Sequence, residues 1–404
     1  MSSRAVGLGY DQRFLWHREQ SSTPVFGSSQ HPESPQRLSE IWKRLKQSGL
    51  SQQCVRHRAR HLSDDELDRV HSRMHLLSLR ILWPRRMRGE GHDPGDGCAS
   101  DISSVDSEGD DVEEAHSFGG IENLDCGPAY AFEDDIYLNR YSCAVASLAA
   151  GMCCELAIQL VKKELQHAFA LVRPPGHHAT RNKPQGFCLL NNVALSVRAA
   201  QAEGLHRICV VDWDVHHGNG TQEIFYNDSS VLVVSLHKYG FSRGGGVFYP
   251  GTGDALDVGS DDGKGFTVNI PLPGCMGDSE YLTCMDRIVL PILEAFRPEL
   301  CVISCGFDSA QDDPLGEMAL SPFGFAAMTA RLSALAPSLV CFEGGYCPEA
   351  NAGAAEAVLQ ALLRDELPRE QTKDREVHLG LERALAEVVD VQKSFWPCIA
   401  EQER

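Results

Sequence analysis

The chain has 404 residues, 43% of them apolar and 23% charged, which excludes a disordered or fibrous protein and supplies enough apolar material for a large core. Its formal net charge of −19 argues against a surface built to neutralise nucleic-acid phosphates, which needs clustered Lys and Arg, so no direct nucleic-acid partner is expected. The start, MSSRAVGLGYDQRF, lacks the apolar run of a secretory signal and nowhere do 18 apolar residues follow one another; a soluble intracellular protein with no membrane segment is expected, nucleus or cytoplasm being left open.

In chain order, residues 36–50 carry Leu38, Ile41, Trp42 and Leu45 at helical spacing and stop at Gly49. Residues 89–128 then hold twelve Asp or Glu and no Lys or Arg, so the rest of the chain is only mildly acidic. Rich in Gly, Ser and Asp and without apolar period, this stretch reads as a flexible insertion. The alternative is a docking segment for a basic protein partner. A second helix is expected over 145–165.

From residue 168 the texture changes to short β-rich runs, AFALV, ICVVDW, VLVVSLH, FTVNIPL, LCVISCGF and SLVCFEGGY, alternating with helical or loop segments. This predicts an α/β fold, a parallel sheet with helices on both faces. Helical segments over 352–363 and about 381–395 close the chain. The organisation expected is one domain over 1–380, interrupted by the insertion, and a helical tail over 381–404 packed on it. The fifteen cysteines lie mostly in apolar stretches, as Cys209, Cys301, Cys305 and Cys341 do, and no Cys-x-x-Cys pair occurs. Buried free thiols are expected rather than disulfides or a thiolate metal site.

The polar clusters RPPGHH, DWDVHHGNG, SLHKYG, GFDSAQDDP and EGGY each follow a strand. Ligands of open α/β sheets bind at the carboxyl ends of strands, so these clusters should converge on one site. Alternation after the run ICVV puts Asp212, Asp214 and His216 on one side. Two carboxylates and an imidazole on one buried edge call for a cation, and zinc takes such donors, three from the protein with one position left open. Asp308, at a strand end beside Gly306, is the third candidate. A lone Asp here would be read as a helix cap; the cluster favours the metal.

His177 and His178 follow a rigid Pro-Pro turn, where a neutral imidazole can take a proton from water and a charged one can donate. Asp212 and Asn219 are available to fix their tautomers. Tyr346, after two glycines, can donate its hydroxyl to a developing oxyanion.

The motifs HPESPQRL, LVRPPGHHA, QGFCLLNNVA, VVDWDVHHGNGTQ, VSLHKY, FYPGTGD, ISCGFDSAQDDPLG and EGGY stand in one order, and in that order the chain resembles the histone deacetylase family, class II, over about residues 5–365. The resemblance implies a single-domain fold of the arginase/deacetylase kind with an eight-stranded, mainly parallel sheet, and zinc-dependent hydrolysis of acetyl-lysine in proteins. Zinc would fall to Asp214, His216 and Asp308, with His177 paired to Asp212, His178 to Asn219, and Tyr346 as oxyanion donor. It further implies one potassium ion at Asp212, Asp214, His216, Ser235 and Leu236, and a second near Phe225, Asp228 and Val231.

Acetyl-lysine would lie in a tunnel between Phe187 and Tyr249, the carbonyl of Gly186 facing its amide nitrogen, with Asp134 or Asp135 anchoring the substrate backbone at the mouth. Tyr249 replaces the family's usual Phe, and SRGGG lengthens the loop before it, which implies a more polar or more mobile rim. Leu315 stands where polyamine-hydrolysing relatives carry Glu, which favours a peptide substrate. The alternatives are an acetylpolyamine or other small acylamine amidohydrolase, and a catalytically weak acetyl-lysine-binding scaffold that recruits partners through its acidic insertion.

Overall fold

A computed structural model describes residues 5–19, 31–82, 130–132, 135–364 and 379–403. The insertion expected over 89–128 lies outside these residues. Ten strands are present among them: β1 Val6–Gly9, β2 Val55–His57, β3 Tyr130–Phe132, β4 Ile136–Leu138, β5 His167–Ala170, β6 Ile208–Asp212, β7 Val231–Lys238, β8 Thr267–Leu272, β9 Leu300–Cys305 and β10 Ser338–Phe342. Eight form one sheet in the order β2-β1-β5-β10-β9-β6-β7-β8. Every neighbouring pair in it is parallel. β3 and β4 make a separate antiparallel ribbon.

The central strands are buried along their whole length, which is why they read as continuous apolar runs such as ICVV and LVCF rather than as an alternating pattern. Both faces are covered. In β10 the thiol of Cys341 meets Cys153 of the helix Ser142–Val161. The next side chain, Phe342, points the other way, under the guanidinium of Arg37 from the helix Pro35–Gln47, 4.7 Å from its ring centre. The helix Ser142–Val161 is long and apolar enough to cross a membrane by composition, yet 67% of its most apolar window is buried inside the protein. An all-round apolar helix of this kind belongs to the interior of a large core.

The sequence expectations shift at their edges. The helix expected at 145–165 runs Ser142–Val161, that at 352–363 begins at Pro348, and the last is Leu379–Gln392. β1, β2 and the β3–β4 ribbon carry no strand signal in the sequence reading. The final helix lies against β8, where Gln392 Nε2 donates to the Thr267 carbonyl at 2.9 Å and Trp396 Nε1 to that of Gly265 at 2.8 Å.

The chain builds β1, β2 and β5 on one side, crosses to β6, β7 and β8, and returns to fill the gap with β9 and β10. The loops after β5, β6, β9 and β10 therefore leave the same stretch of sheet edge, at the place where strand order reverses.

Candidate active site

The loop after β6 supplies Asp214 and His216, and the loop after β9 supplies Asp308. One ligand atom from each lies within 4.8 Å of the others, and all three residues are buried. His216 turns Nδ1 inward, 3.0 Å from Asp308 Oδ2 and 3.2 Å from Asp214 Oδ1. Backbone donors hold the carboxylates: Val215 N–H to Asp308 Oδ1 at 2.8 Å, His216 N–H to Asp214 Oδ1 at 2.9 Å, and Gly344 N–H to Asp214 Oδ2 at 2.8 Å.

These residues fit a divalent cation. Burial, and then the neighbouring Asp214, push the Asp308 carboxyl up to about 7, whereas its partners His216 and His177 outweigh burial to hold Asp214 well below the carboxylate range. Two carboxylates are thus pressed together where added positive charge favours the ionised form of both. The cradle is also shaped by glycine: a Cβ on Gly306 would stand 2.1 Å from Asp214 Oδ2, and one on Gly344 2.2 Å from Asp308 Oδ2. Zinc, with its preference for imidazole and carboxylate, matches the donor set.

The loop after β5 brings the two histidines over this cluster with ring centres 3.9 Å apart. His177 Nδ1 lies 3.0 Å from Asp212 Oδ2, and His178 Nδ1 2.8 Å from Asn219 Oδ1. The pairs implied by the resemblance are both present. Burial disfavours charge on each ring, but Asp214 and Asp212 overcome it at His177 and raise its pKa well above the usual value. At His178 burial is reinforced by His177 and His216, and the ring is held neutral. Adjacent titratable groups driven apart in this way can serve as a charged and a neutral partner in proton transfer.

Tyr346, after β10, is held from both sides. Asp313 accepts its backbone N–H at 2.6 Å, and the Arg37 guanidinium sits 4.9 Å over its ring. Burial, above all, raises the phenol well above its usual pKa, so it remains a hydrogen donor. Phe187 stands edge-on to Tyr346 at 5.8 Å, and Tyr249 edge-on to His178 at 5.1 Å and to His216 at 6.1 Å. Gly186 has φ +56°, and a Cβ there would come within 2.4 Å of the His178 ring.

Leu315 is half-buried, and its N–H donates to Asp313 Oδ1 at 2.9 Å. Asp135 precedes β4, and after burial its charge is the next cause that raises the Tyr249 phenol. Asp134 lies outside the described residues. Of the residues expected at potassium, Asp212 and Ser235 are register partners on β6 and β7, Leu236 is buried beside them, and Phe225, Asp228 and Val231 share one turn in which Asp228 N–H donates to the Phe225 carbonyl at 2.9 Å. The Asp228 carboxylate is engaged by Arg198 Nη1 at 2.7 Å.

The rim carries apolar residues that the sequence reading did not single out. The SRGGG segment, with Arg243 exposed, turns within a hairpin closed by a Phe241–Val247 bridge, and large apolar side chains flank it. Glycine content described the turn and not the residues that it presents.

Sequence reasoning also missed a buried polar network beneath the site. Glu33 binds Arg173 at 2.8 and 2.7 Å and Arg37 Nη1 at 3.0 Å, and accepts from the Tyr137 hydroxyl at 3.1 Å. Arg37 in turn donates to the carbonyls of Gly345 and Glu343, the backbone that leads to Tyr346. Glu343 accepts from the N–H groups of Gly176 and His177 at 2.6 and 3.2 Å, tying the histidine loop to the tyrosine loop. The signal was on the page, in charged residues inside HPESPQRL and LVRPP, but no spacing rule joins positions so far apart.

Residues 31–362 match the family described as "Histone deacetylase domain". The chain is 37% identical over 407 residues to "Histone deacetylase 15" of Arabidopsis thaliana, covering 99% of this chain and 64% of that protein. It is 36% identical over 406 residues to "Histone deacetylase 7" of Homo sapiens, with 98% and 40% covered, and 36% identical over 383 residues to "Histone deacetylase 6" of Caenorhabditis elegans, with 91% and 36% covered. The chain thus spans less than two thirds of the length of these relatives. The crystal structure titled "Crystal Structure of HDA15 HD domain" superposes with a TM-score of 0.81 at 36% identity, covering 99% of this chain and 97% of that one. These matches bear out the resemblance and the fold read from the motifs.

Proposed function

The chain belongs to the histone deacetylase family, and we propose that it hydrolyses acetyl-lysine side chains in proteins with one zinc ion held by Asp214, His216 and Asp308. The observation that carries this reading is the convergence of these three buried ligand atoms within 4.8 Å of one another, directly beneath the paired histidines.

Zinc, when bound there, polarises the acetyl carbonyl and a water molecule. His178, kept neutral and oriented by Asn219, takes the proton of the attacking water and passes it to the leaving lysine nitrogen. His177 stays charged against Asp212 and balances the carboxylates around it. Tyr346 donates its hydroxyl hydrogen to the oxygen on which negative charge grows. Phe187 and Tyr249 wall the approach and keep water out, while the Gly186 carbonyl receives the amide N–H. Asp135 is the anchor proposed for the substrate backbone at the mouth.

Leu315 offers an apolar surface, which suits an uncharged peptide stem better than a polyamine cation. Potassium at Asp212, Asp214, His216, Ser235 and Leu236, and at Phe225, Asp228 and Val231, remains part of the proposal, supported by the pairing of Asp212 with Ser235 across β6 and β7 in the first set and by the shared turn of the second. The test is acetate release from acetyl-lysine peptides and from acetylspermidine, with and without a chelator. Chelator-sensitive turnover of the peptide supports the reading, and preference for the polyamine or indifference to the chelator contradicts it.

A further inference from the structure

The segment Ser242–Gly246 takes no part in the chemistry above, yet it is built with care. Phe241 and Val247 form an antiparallel bridge, flanked by hydrogen bonds from Ser242 N–H to the Gly246 carbonyl at 2.8 Å and from Phe248 N–H to that of Gly240 at 2.9 Å. Gly240 and Gly245 supply the positive φ, +98° and +89°, that so tight a reversal needs. The tip is moored: Arg243 N–H donates to Glu317 Oε1 at 2.9 Å, and the other oxygen of Glu317 pairs with the buried ammonium of Lys238. Lys238 in turn lies 4.1 Å from the ring centre of Phe248, which stacks flat on His216.

This braced hairpin leaves Phe241 73% and Val247 66% exposed. Opposed residues of a bridged pair share a face, so the two side chains form one apolar surface. The surface lies close to the proposed tunnel wall. Val247 is two residues from Tyr249, so their Cα atoms are at most about 7 Å apart, and Tyr249 touches His178 and His216. An extended substrate rises about 3.3 Å per residue, which puts the first or second neighbour of the acetylated lysine at this height.

We propose that the Phe241–Val247 hairpin selects substrates, taking an apolar side chain one or two positions from the acetyl-lysine of an extended peptide. The proposal rests on the deacetylase reading above. Its physical basis is removal of apolar surface from water on both partners at a surface whose backbone is already fixed, so that little ordering entropy opposes it.

The experiment compares zinc-loaded full-length chain on acetyl-lysine peptides that differ only in carrying Leu or Ser at the two positions on each side of the lysine. The expected result is a preference for Leu of roughly 5- to 20-fold in kcat/KM, expressed mainly in KM. In the double variant Phe241→Ser/Val247→Ser the ratio collapses to within about twofold. The preference survives in Val55→Ser, which changes a half-exposed apolar residue at the start of the edge strand β2, the end of the sheet remote from the site. Turnover without a Leu preference, or a preference that the double variant retains, overturns this proposal alone. So does a dimer that the double variant dissolves while the wild type shows no flank preference, since the face would then cover a second copy. No turnover of any acetyl-lysine peptide overturns the deacetylase reading itself.

Discussion

The carboxylate of Asp313 accepts the backbone N–H of Tyr346 at 2.6 Å and, through its other oxygen, the N–H of Leu315 at 2.9 Å, so one side chain ties the proposed oxyanion donor to the turn that carries Leu315. Tyr346→Phe is expected to lower kcat by about 10²- to 10³-fold with bound metal unchanged. Asp313→Ala, which frees the backbone while leaving the hydroxyl in place, should lose roughly 10-fold or more in kcat, since small misplacements of a donor are costly. Steady-state kinetics with metal analysis on both variants checks this; wild-type rates for Tyr346→Phe would remove the tyrosine from the reaction.

Gly306→Ala and Gly344→Ala place a methyl carbon where Asp214 and Asp308 oxygens now lie, at 2.1 and 2.2 Å. Each should fold, with a melting temperature near that of the metal-free wild type, but fail to retain zinc through dialysis. Full metal occupancy in both would show that the glycines do not shape the cradle.

Glu33 is fully buried between Arg173 and Arg37. Burial alone would raise its pKa, but Arg173 and then Arg37 outweigh it and keep the carboxylate charged. Glu33→Gln strands two buried guanidinium groups, and the expected cost is about 3–5 kcal/mol, the range for breaking one side of a buried ion pair. Chemical denaturation at neutral pH measures it, and a change under about 1 kcal/mol would contradict the network's role.

His71 sits between a carbonyl and an N–H: its Nδ1 is 3.0 Å from the Thr180 carbonyl, and its Nε2 accepts from Asn191 N–H at 2.9 Å. Only the neutral ring fits both. Burial first, then His75, lower His71 to about 3, and burial lowers His75 to about 4. In the unfolded chain both take up protons near pH 6.5, so below that pH the unfolded state binds more protons and stability falls as pH falls, until the folded values are reached. Melting temperature should therefore decline between about pH 6.5 and 5, before most carboxylates titrate. His75→Gln, which keeps a donor for the Leu189 carbonyl, should flatten part of that decline. A profile flat to pH 5 in the wild type would contradict the assignment.

Much of this molecule was legible in its sequence because function and fold share the same short segments. The buried strands β6, β7, β9 and β10 read as runs rich in Val, Ile and Leu, and each leads into the polar residues that the sheet edge gathers, so Asp214, His216 and Asp308 stand out as candidates before any geometry. β1 was not, because VGLG carries two glycines where branched residues are expected; the structure shows why, since a Cβ on Gly7 would stand 2.5 Å from Leu165. The Glu33–Arg173 pair escaped for a different reason. Its members are 140 residues apart, and no periodicity reports a contact of that range. The rim escaped because glycines mark a turn and are silent about Phe241 and Val247 on either side of it.

The most direct test of the whole account is an anomalous difference map recorded at the zinc edge from crystals of the metal-loaded chain. The account predicts one strong peak about 2.0–2.2 Å from Asp214, His216 Nδ1 and Asp308 together. A map empty at that point, or a sole peak elsewhere on the molecule, would contradict it.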